Sequence, residues 1–247
     1  MHRQPPPLAQ VAFTPVSIQF PDNFRSLVLG ANGALGSAFV DFLRLKMNCH
    51  DLVALSRSRG DFDLEDPHSI EALGQTLAGS GPFHLIIDAT GALTLDGIGP
   101  EKSLSRLENA SMNRLFAVNV MGPALLMRHL SPLMATGDAL YAKLSARVGS
   151  IADNRTGGWY SYRASKAAMN MILQSASLEL QRKNPRLRVV ALQPGTVRSK
   201  LSEPFQSGVP KLLEPAESVA GMMNAMLRLD LTSGARFIDY AGNEIPW

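Results

Sequence analysis

The chain has 247 residues, 45% of them hydrophobic and 18% charged, so it can bury a large core without disulfide or metal staples. Its net charge is 24 − 21 = +3, and the basic residues are scattered, apart from Arg182, Lys183, Arg186 and Arg188 at an expected helix end. This is not the dense stripe of a nucleic-acid footprint, and a helix C-terminus favours cations in any case. Cys49 is the only cysteine, which excludes an internal disulfide or a thiolate cluster, and the five histidines show no ligand spacing. No apolar run approaches the ~18 residues of a membrane span, and the N-terminus lacks the apolar segment of a secretory signal. These features predict a cytoplasmic, soluble protein with no metal and no nucleic-acid or membrane partner.

Residues 1–24 hold five prolines and little periodicity, and are expected to form an extended or disordered leader. From Arg25 a regular alternation begins. Ser26–Leu29 is an apolar strand, Ser37–Met47 an amphipathic helix and Asp51–Leu55 a second strand. Pro67–Leu77 reads as a helix with Asp66 as N-cap and Pro67 in its first turn. His84–Asp88 is almost wholly apolar, as a parallel strand covered on both faces should be. A helical region follows over 105–134, interrupted near Gly122-Pro123, and then a strand over Leu140–Leu144. A helix carrying Tyr162 runs to about Lys183, before a strand over Leu187–Leu192, a helix over Glu217–Leu229 and a last strand over Arg236–Asp239. Strands alternating with helices without a linker predict one domain, 25–247, built on a doubly wound parallel sheet with helices on both faces.

The first strand feeds Gly30-Ala31-Asn32-Gly33-Ala34-Leu35-Gly36, whose glycines fall at i, i+3 and i+6. A glycine-rich turn between a strand and a helix lets backbone approach a pyrophosphate where helix amides and dipole favour anions. An NAD-selective site places a carboxylate at the end of the second strand. This chain has Ser56-Arg57-Ser58-Arg59 there, and a guanidinium with hydroxyls suits a 2′-phosphate. NADP is therefore favoured over NAD.

Tyr162 and Lys166 are four residues apart on an expected helix, so the phenol and the ammonium share a face. A phenol titrates near ~10, and a nearby cation lowers that value by stabilising the phenolate. The pair has the composition of an acid–base unit able to protonate an incipient alkoxide.

In this order the motifs resemble the short-chain dehydrogenase/reductase family over nearly all of the chain from residue 25 onward. The resemblance rests on the glycine loop, Asp63-Leu64, Asp88-Ala89-Thr90-Gly91, Asn119-Val120-Met121-Gly122, Tyr162 with Lys166, and Pro194-Gly195-Thr196-Val197. The stretch Gly149-Ser150-Ile151 and Gly157-Gly158-Trp159-Tyr160-Ser161-Tyr162 is similar to the C-factor and sniffer-like carbonyl reductase branch. The resemblance implies a Rossmann-type fold and an NADP-dependent carbonyl reductase acting on a small carbonyl or alcohol, as a homodimer or homotetramer. It implies that Tyr162 gives the proton, Lys166 assists it and binds ribose, and Asn119 holds a relay water. Gly30, Asn32, Gly33, Leu35 and Gly36, with Ser56 and Arg57, would contact the cofactor's phosphates. Asp63 and Leu64 would flank the adenine, Ala89, Thr90 and Gly91 would line the cofactor, and Pro194, Gly195, Thr196 and Val197 would meet the nicotinamide end.

Three departures stand out. Ala34 replaces a frequent glycine, and Asp-Ala-Thr-Gly replaces Asn-Asn-Ala-Gly. The usual place of the catalytic serine falls on Ala146, leaving Ser145 or Ser150 to supply that hydroxyl, with Ser145 preferred because it ends the strand. The second reading is a non-catalytic nucleotide-binding protein of the same fold, acting in signalling or as an interaction partner. Residues 198–215 are expected to form a lid over the substrate.

Overall fold

Residues 17–47, 49, 51–207 and 211–247 are described by a computed structural model of the chain. In chain order the elements are β1 (Arg25–Leu29), α1 (Ala34–Lys46), β2 (Asp51–Leu55), α2 (Pro67–Leu77), β3 (Leu85–Asp88), α3 (Asn109–Phe116) and α4 (Gly122–Leu130). They continue with β4 (Ala139–Leu144), α5 (Tyr160–Leu180), β5 (Leu187–Gln193), β6 (Thr196–Val197), β7 (Leu212–Leu213), α6 (Pro215–Leu227) and β8 (Arg236–Asp239). Six strands form one parallel sheet in the order β2-β1-β3-β4-β5-β8, as the expected doubly wound architecture requires. The pair β6 and β7 forms a separate two-stranded sheet too short to leave a periodic signal.

Side chains alternate between the two faces with the period of a strand. Val28, Ile87, Leu140, Ala142, Val190 and Leu192 face α1 and α6, where they pack with Phe39, Leu43, Met222 and Met226. Leu27, Leu29, Ile86, Tyr141, Val189 and Ala191 face the other way, onto Ile70 and Leu73 of α2, Leu126 of α4, and Met169 and Leu173 of α5. The packed body begins before Arg25. Ile18 donates its N–H to Leu227 O, and Ile18 and Phe24 are buried in the α1/α6 layer. The expected leader up to residue 16 lies outside the described residues.

Two local differences from the expected elements bear on function. The helical region is not broken at Gly122-Pro123. Residues 117–121 form a wide π-turn instead, which runs directly into α4 with Pro123 in its first turn. Gly122 lets this corner meet the 63–64 turn, since a Cβ there would lie 2.6 Å from Leu64 O. Strand order reverses between β1 and β3, and a doubly wound sheet opens a ligand crevice at the carboxyl ends of such a pair.

Candidate active site

The crevice is built first by glycines. Gly30 leaves β1 at φ +79°, and a Cβ on it would lie 3.0 Å from Ala89 O at the end of β3. Gly36 lets α1 sit against the same turn, for a Cβ there would be only 2.0 Å from Gly30 O. Helix α1 then starts at Gly33 with no side-chain cap, which leaves its first amides free to face a ligand. The resulting cavity of about 560 Å³ is lined by Gly30, Asn32, Gly33, Ser56, Arg57, Ser58, Asp63, Leu64, Ala89, Thr90 and Gly91 among others. Leu35 and Gly36 are not among the lining residues. Leu35 packs on the α1/α6 core, so these two shape the loop from behind. Pro194, Gly195, Thr196 and Val197 also lie off this wall, with Pro194 O accepting from Ser218 Oγ at 2.6 Å.

The end of β2 holds a carboxylate that its sequence position conceals. Asp61 accepts the Ser56 N–H at 2.7 Å and pairs with Arg59 at 3.1 Å, and the Ser56 contact, followed by Arg59, holds its carboxyl below the usual range. Both contacts are made by Oδ2, which is thus turned onto the protein. Arg57 lines the cavity and enters no ion pair among the described residues, and Asn32 Nδ2 donates to Ser58 Oγ across the groove at 2.8 Å. An open helix N-terminus, a glycine cradle and an unpaired guanidinium beside hydroxyls form a donor set that fits a phosphorylated dinucleotide.

At the inner end of the groove the expected catalytic residues converge. Lys166 Nζ stands 5.5 Å from the centre of the Tyr162 ring. Gly91, at φ +137°, makes room for both this ammonium and Asn119: a Cβ there would lie 3.1 Å from Asn119 Oδ1 and 3.3 Å from Lys166 Nζ. Asn119 occupies the centre of the π-turn and is 1% exposed. Its amide exchanges two 2.8 Å hydrogen bonds with the Ala92 backbone and donates to Ser165 Oγ at 3.2 Å. Ser165 Oγ in turn donates to Tyr162 O at 2.8 Å, so Asn119 clamps the β3 exit to the turn of α5 that carries Tyr162.

The electrostatics differ from the expected lowering of the phenol by a nearby cation. Burial pushes the Tyr162 phenol up rather than down, since the charged form loses its hydration. Lys166 is itself lowered to about 7, by burial first and then by the charge of Lys143, with Asp88 acting the other way. A lysine only partly charged at neutral pH lends the phenolate less support than a full cation.

Neither serine expected to assist is directed at the phenol. Residues 139, 141, 143 and 145 share the α5 side of the sheet, and Ser145 Oγ donates to Asn170 Oδ1 at 2.6 Å. Asn170 lies two helical turns beyond Tyr162. Ser150 Oγ donates to Pro246 O and accepts from Asp153 N–H, which ties the loop to the C-terminal segment. Ala146, at the usual position of the family's serine, packs with the apolar cluster of Leu93, Leu115 and Tyr162.

That cluster walls the substrate side. Trp159 meets Tyr162 edge-on at 6.1 Å and Phe205 at 4.9 Å, so the expected lid contributes an aromatic contact next to the phenol. Lys200, Leu201 and Pro204 of the same segment line the dinucleotide groove, and the C-terminal Trp247 stacks on Phe237. A second cavity of about 690 Å³ adjoins through Leu95 and is lined by Leu93, Leu115, Glu101, Arg106 and Ser161.

Sequence reading missed Glu101. Its carboxylate accepts the Ser161 N–H at 3.1 Å and the Ser161 hydroxyl, and its carbonyl accepts the Trp159 N–H. It caps α5 from sixty residues away. The one signal was negative: the N-cap position is Trp159, which has no side chain able to cap, and it takes a left-handed φ of 54°.

Comparison with known proteins agrees with this construction. The family model for the short chain dehydrogenase matches residues 56–209. C-signal of Myxococcus xanthus is 32% identical over 169 residues, covering 68% of this chain and 95% of that protein. The 1-hydroxy-2-glutathionyl-2-methyl-3-butene dehydrogenase of Rhodococcus sp. strain AD45 is 30% identical over 186 residues, covering 75% and 78%. Among solved structures, a putative short-chain dehydrogenase/reductase from Burkholderia multivorans with bound NADP superposes with a TM-score of 0.74 at 25% identity, covering 91% of this chain and all of that one. The likeness to C-signal meets the C-factor expectation. With the glycine cradle, the Tyr162–Lys166 pair and these relatives together, the chain belongs to the short-chain dehydrogenase family.

Proposed function

We propose that the protein is an NADP-dependent oxidoreductase that interconverts a small carbonyl compound and its alcohol. The observation that carries this reading is the meeting of Lys166 and Asn119 at Gly91, with the Tyr162 ring 5.5 Å from Lys166 Nζ, at the edge of a groove whose donors suit a phosphorylated dinucleotide. The bound nicotinamide supplies or accepts the hydride. The amides at the start of α1, with Gly30, Asn32 and Gly33, hold the pyrophosphate, and Ser56 and Arg57 bind the 2′-phosphate. Asp63 and Leu64 flank the adenine, Ala89, Thr90 and Gly91 line the ribose path, and Pro194, Gly195, Thr196 and Val197 border the nicotinamide end.

In reduction the Tyr162 hydroxyl gives its proton to the carbonyl oxygen, and burial keeps that phenol protonated and ready at neutral pH. The phenolate left behind is stabilised by Lys166 in its ammonium form and is reprotonated from that side. Asn119 keeps the β3 exit and α5 in register. With Ser145 and Ser150 engaged elsewhere, the carbonyl is oriented by the apolar and aromatic wall rather than by a serine. Met121, Met171 and Leu178 are exposed on the α3–α5 side and suit a homodimer or homotetramer interface in a soluble, cytoplasmic protein. No helix among the described residues is long and apolar enough to cross a membrane.

The test is cofactor oxidation with a panel of neutral ketones, aldehydes and quinones. Turnover with NADPH exceeding that with NADH is expected. Tight NADPH binding without turnover on any of them would favour the non-catalytic nucleotide-binding reading, and a preference for NADH would remove the role of Arg57.

A further inference from the structure

One buried charged pair behind the site has no part in the reaction as described. Lys143, in the middle of the sheet on β4, is 0% exposed, and so is Asp88 at the end of β3. Lys143 Nζ donates to Asp88 Oδ1 at 3.0 Å, to Thr90 O at 2.6 Å and to Thr90 Oγ1 at 3.1 Å. Asp88 Oδ1 also accepts the Thr90 N–H at 2.9 Å. The ammonium therefore fixes the whole 88–91 turn, whose Gly91 abuts both Asn119 and Lys166.

Stability alone does not account for this arrangement. Replacing a buried ion pair by apolar residues is often neutral or stabilising, because desolvation offsets the attraction. Here Asp88 Oδ2 has no hydrogen-bond partner, which adds to the cost. The pair also coincides with the departure from Asn-Asn-Ala-Gly, since Asp88 stands where that pattern begins with asparagine.

We propose that Lys143 is a positioning residue of this active site: it locks the 88–91 turn against Lys166 and Asn119 and places a second ammonium behind Lys166. This rests on the reading of Tyr162 and Lys166 as the acid–base pair. The charged or titratable groups that face Lys166 are Lys143 from β4, Asp88 from the end of β3 and Tyr162 from α5; Asn119 of the π-turn faces it as a neutral group. Of the two charges, Lys143 outweighs Asp88, so the net push is toward the neutral amine. Lys166 can then pass and recover a proton near neutral pH, which a surface lysine titrating near ~10.4 does poorly.

The experiment follows the Lys166 side chain by NMR in the full chain carrying labelled lysine, without cofactor, from pH 5.5 to 10. The resonance is assigned by its loss in Lys166→Met. The parent is expected to titrate near pH 7. Lys143→Met alone leaves Asp88 buried without a cation and is prone to unfold, so the double variant Asp88→Asn/Lys143→Met is used. Its Lys166 midpoint is expected to rise, and that of Asp88→Asn alone, which keeps Lys143, to fall. The alkaline limb of kcat/KM for NADPH-dependent reduction should move the same way in each variant. Lys166 midpoints unchanged from the parent in both folded variants would overturn the proposal. Because this titration needs no turnover, it decides the role of Lys143 even if Tyr162→Phe were to leave activity intact and so defeat the catalytic reading itself.

Discussion

Helices α1 and α5 both begin at the carboxyl edge of the sheet, and their N-termini are treated in opposite ways. Helix α1 starts at a glycine with no capping side chain, beside the groove that Gly30 and Gly91 keep open. Helix α5 starts two residues before Tyr162, and Glu101 fills its N-terminus with a carboxylate on Ser161. A helix N-terminus presents unpaired amides and partial positive charge wherever it occurs. At α1 that potential is left for an anion brought by a ligand. At α5 it is satisfied internally, and the same contact fixes the turn that carries the proposed proton donor, Tyr162. The difference teaches that identical backbone physics serves binding at one edge of the cleft and rigidity at the other.

The strongest way to break this comparison is to close the open end. Gly36→Ala puts a methyl where Gly30 O already lies, so α1 or the loop must shift. We expect NADPH affinity to fall by more than about tenfold, with a stability loss of roughly 1–3 kcal/mol, read by fluorescence titration and denaturant unfolding. The capped end should respond differently. Glu101→Ala removes a cap and a favourable charge, and is expected to cost about 1–2 kcal/mol. It should lower kcat through a loosened Tyr162 while leaving NADPH affinity within about twofold, as a cap effect is confined to the first turn. A large loss of NADPH affinity in Glu101→Ala would show that the two ends are not independent.

The smallest expected effect concerns pH. Lys166 titrates near 7 in the folded protein against ~10.4 unfolded, so its protonation opposes folding. That penalty is fully present below pH 7 and fades as pH rises, because the unfolded chain then binds more protons. Lys143, lowered by burial first, adds to the same trend. The cofactor-free protein should therefore gain stability between pH 7 and about 8.5, below the range where Cys49 and the buried tyrosines begin to titrate. In Lys166→Met the gain should be visibly reduced in thermal melts.

Legibility in the sequence follows the same division. The sheet, its helices and the glycine cradle were readable because they depend on local chemistry: runs of Val, Leu and Ile, Pro67 after Asp66, and glycines where backbone must approach backbone. Tyr162, Lys166 and Asn119 were readable as spacings set in a family-like order, and the structure brings Lys166 and Asn119 together at Gly91, with Tyr162 beside Lys166. What escaped depends on contacts between distant residues. Glu101 reaches Ser161 across 60 positions, and Lys143 reaches Asp88 across 55. The downward shift expected for Tyr162 assumed a fully charged lysine beside it, and burial of both partners reversed its sign. The serine could not be placed because strand alternation sends Ser145 to Asn170, a partner visible only once α5 is packed on β4.

The most direct test of the central claim is Tyr162→Phe, which removes one oxygen and keeps the ring between Trp159 and the leucines. NADPH binding and stability should remain close to those of the parent while NADPH-dependent carbonyl reduction falls by about 10²–10⁴-fold, the range expected when a positioned general acid is lost. Reduction at the parental rate in a folded, NADPH-binding Tyr162→Phe protein would contradict the account.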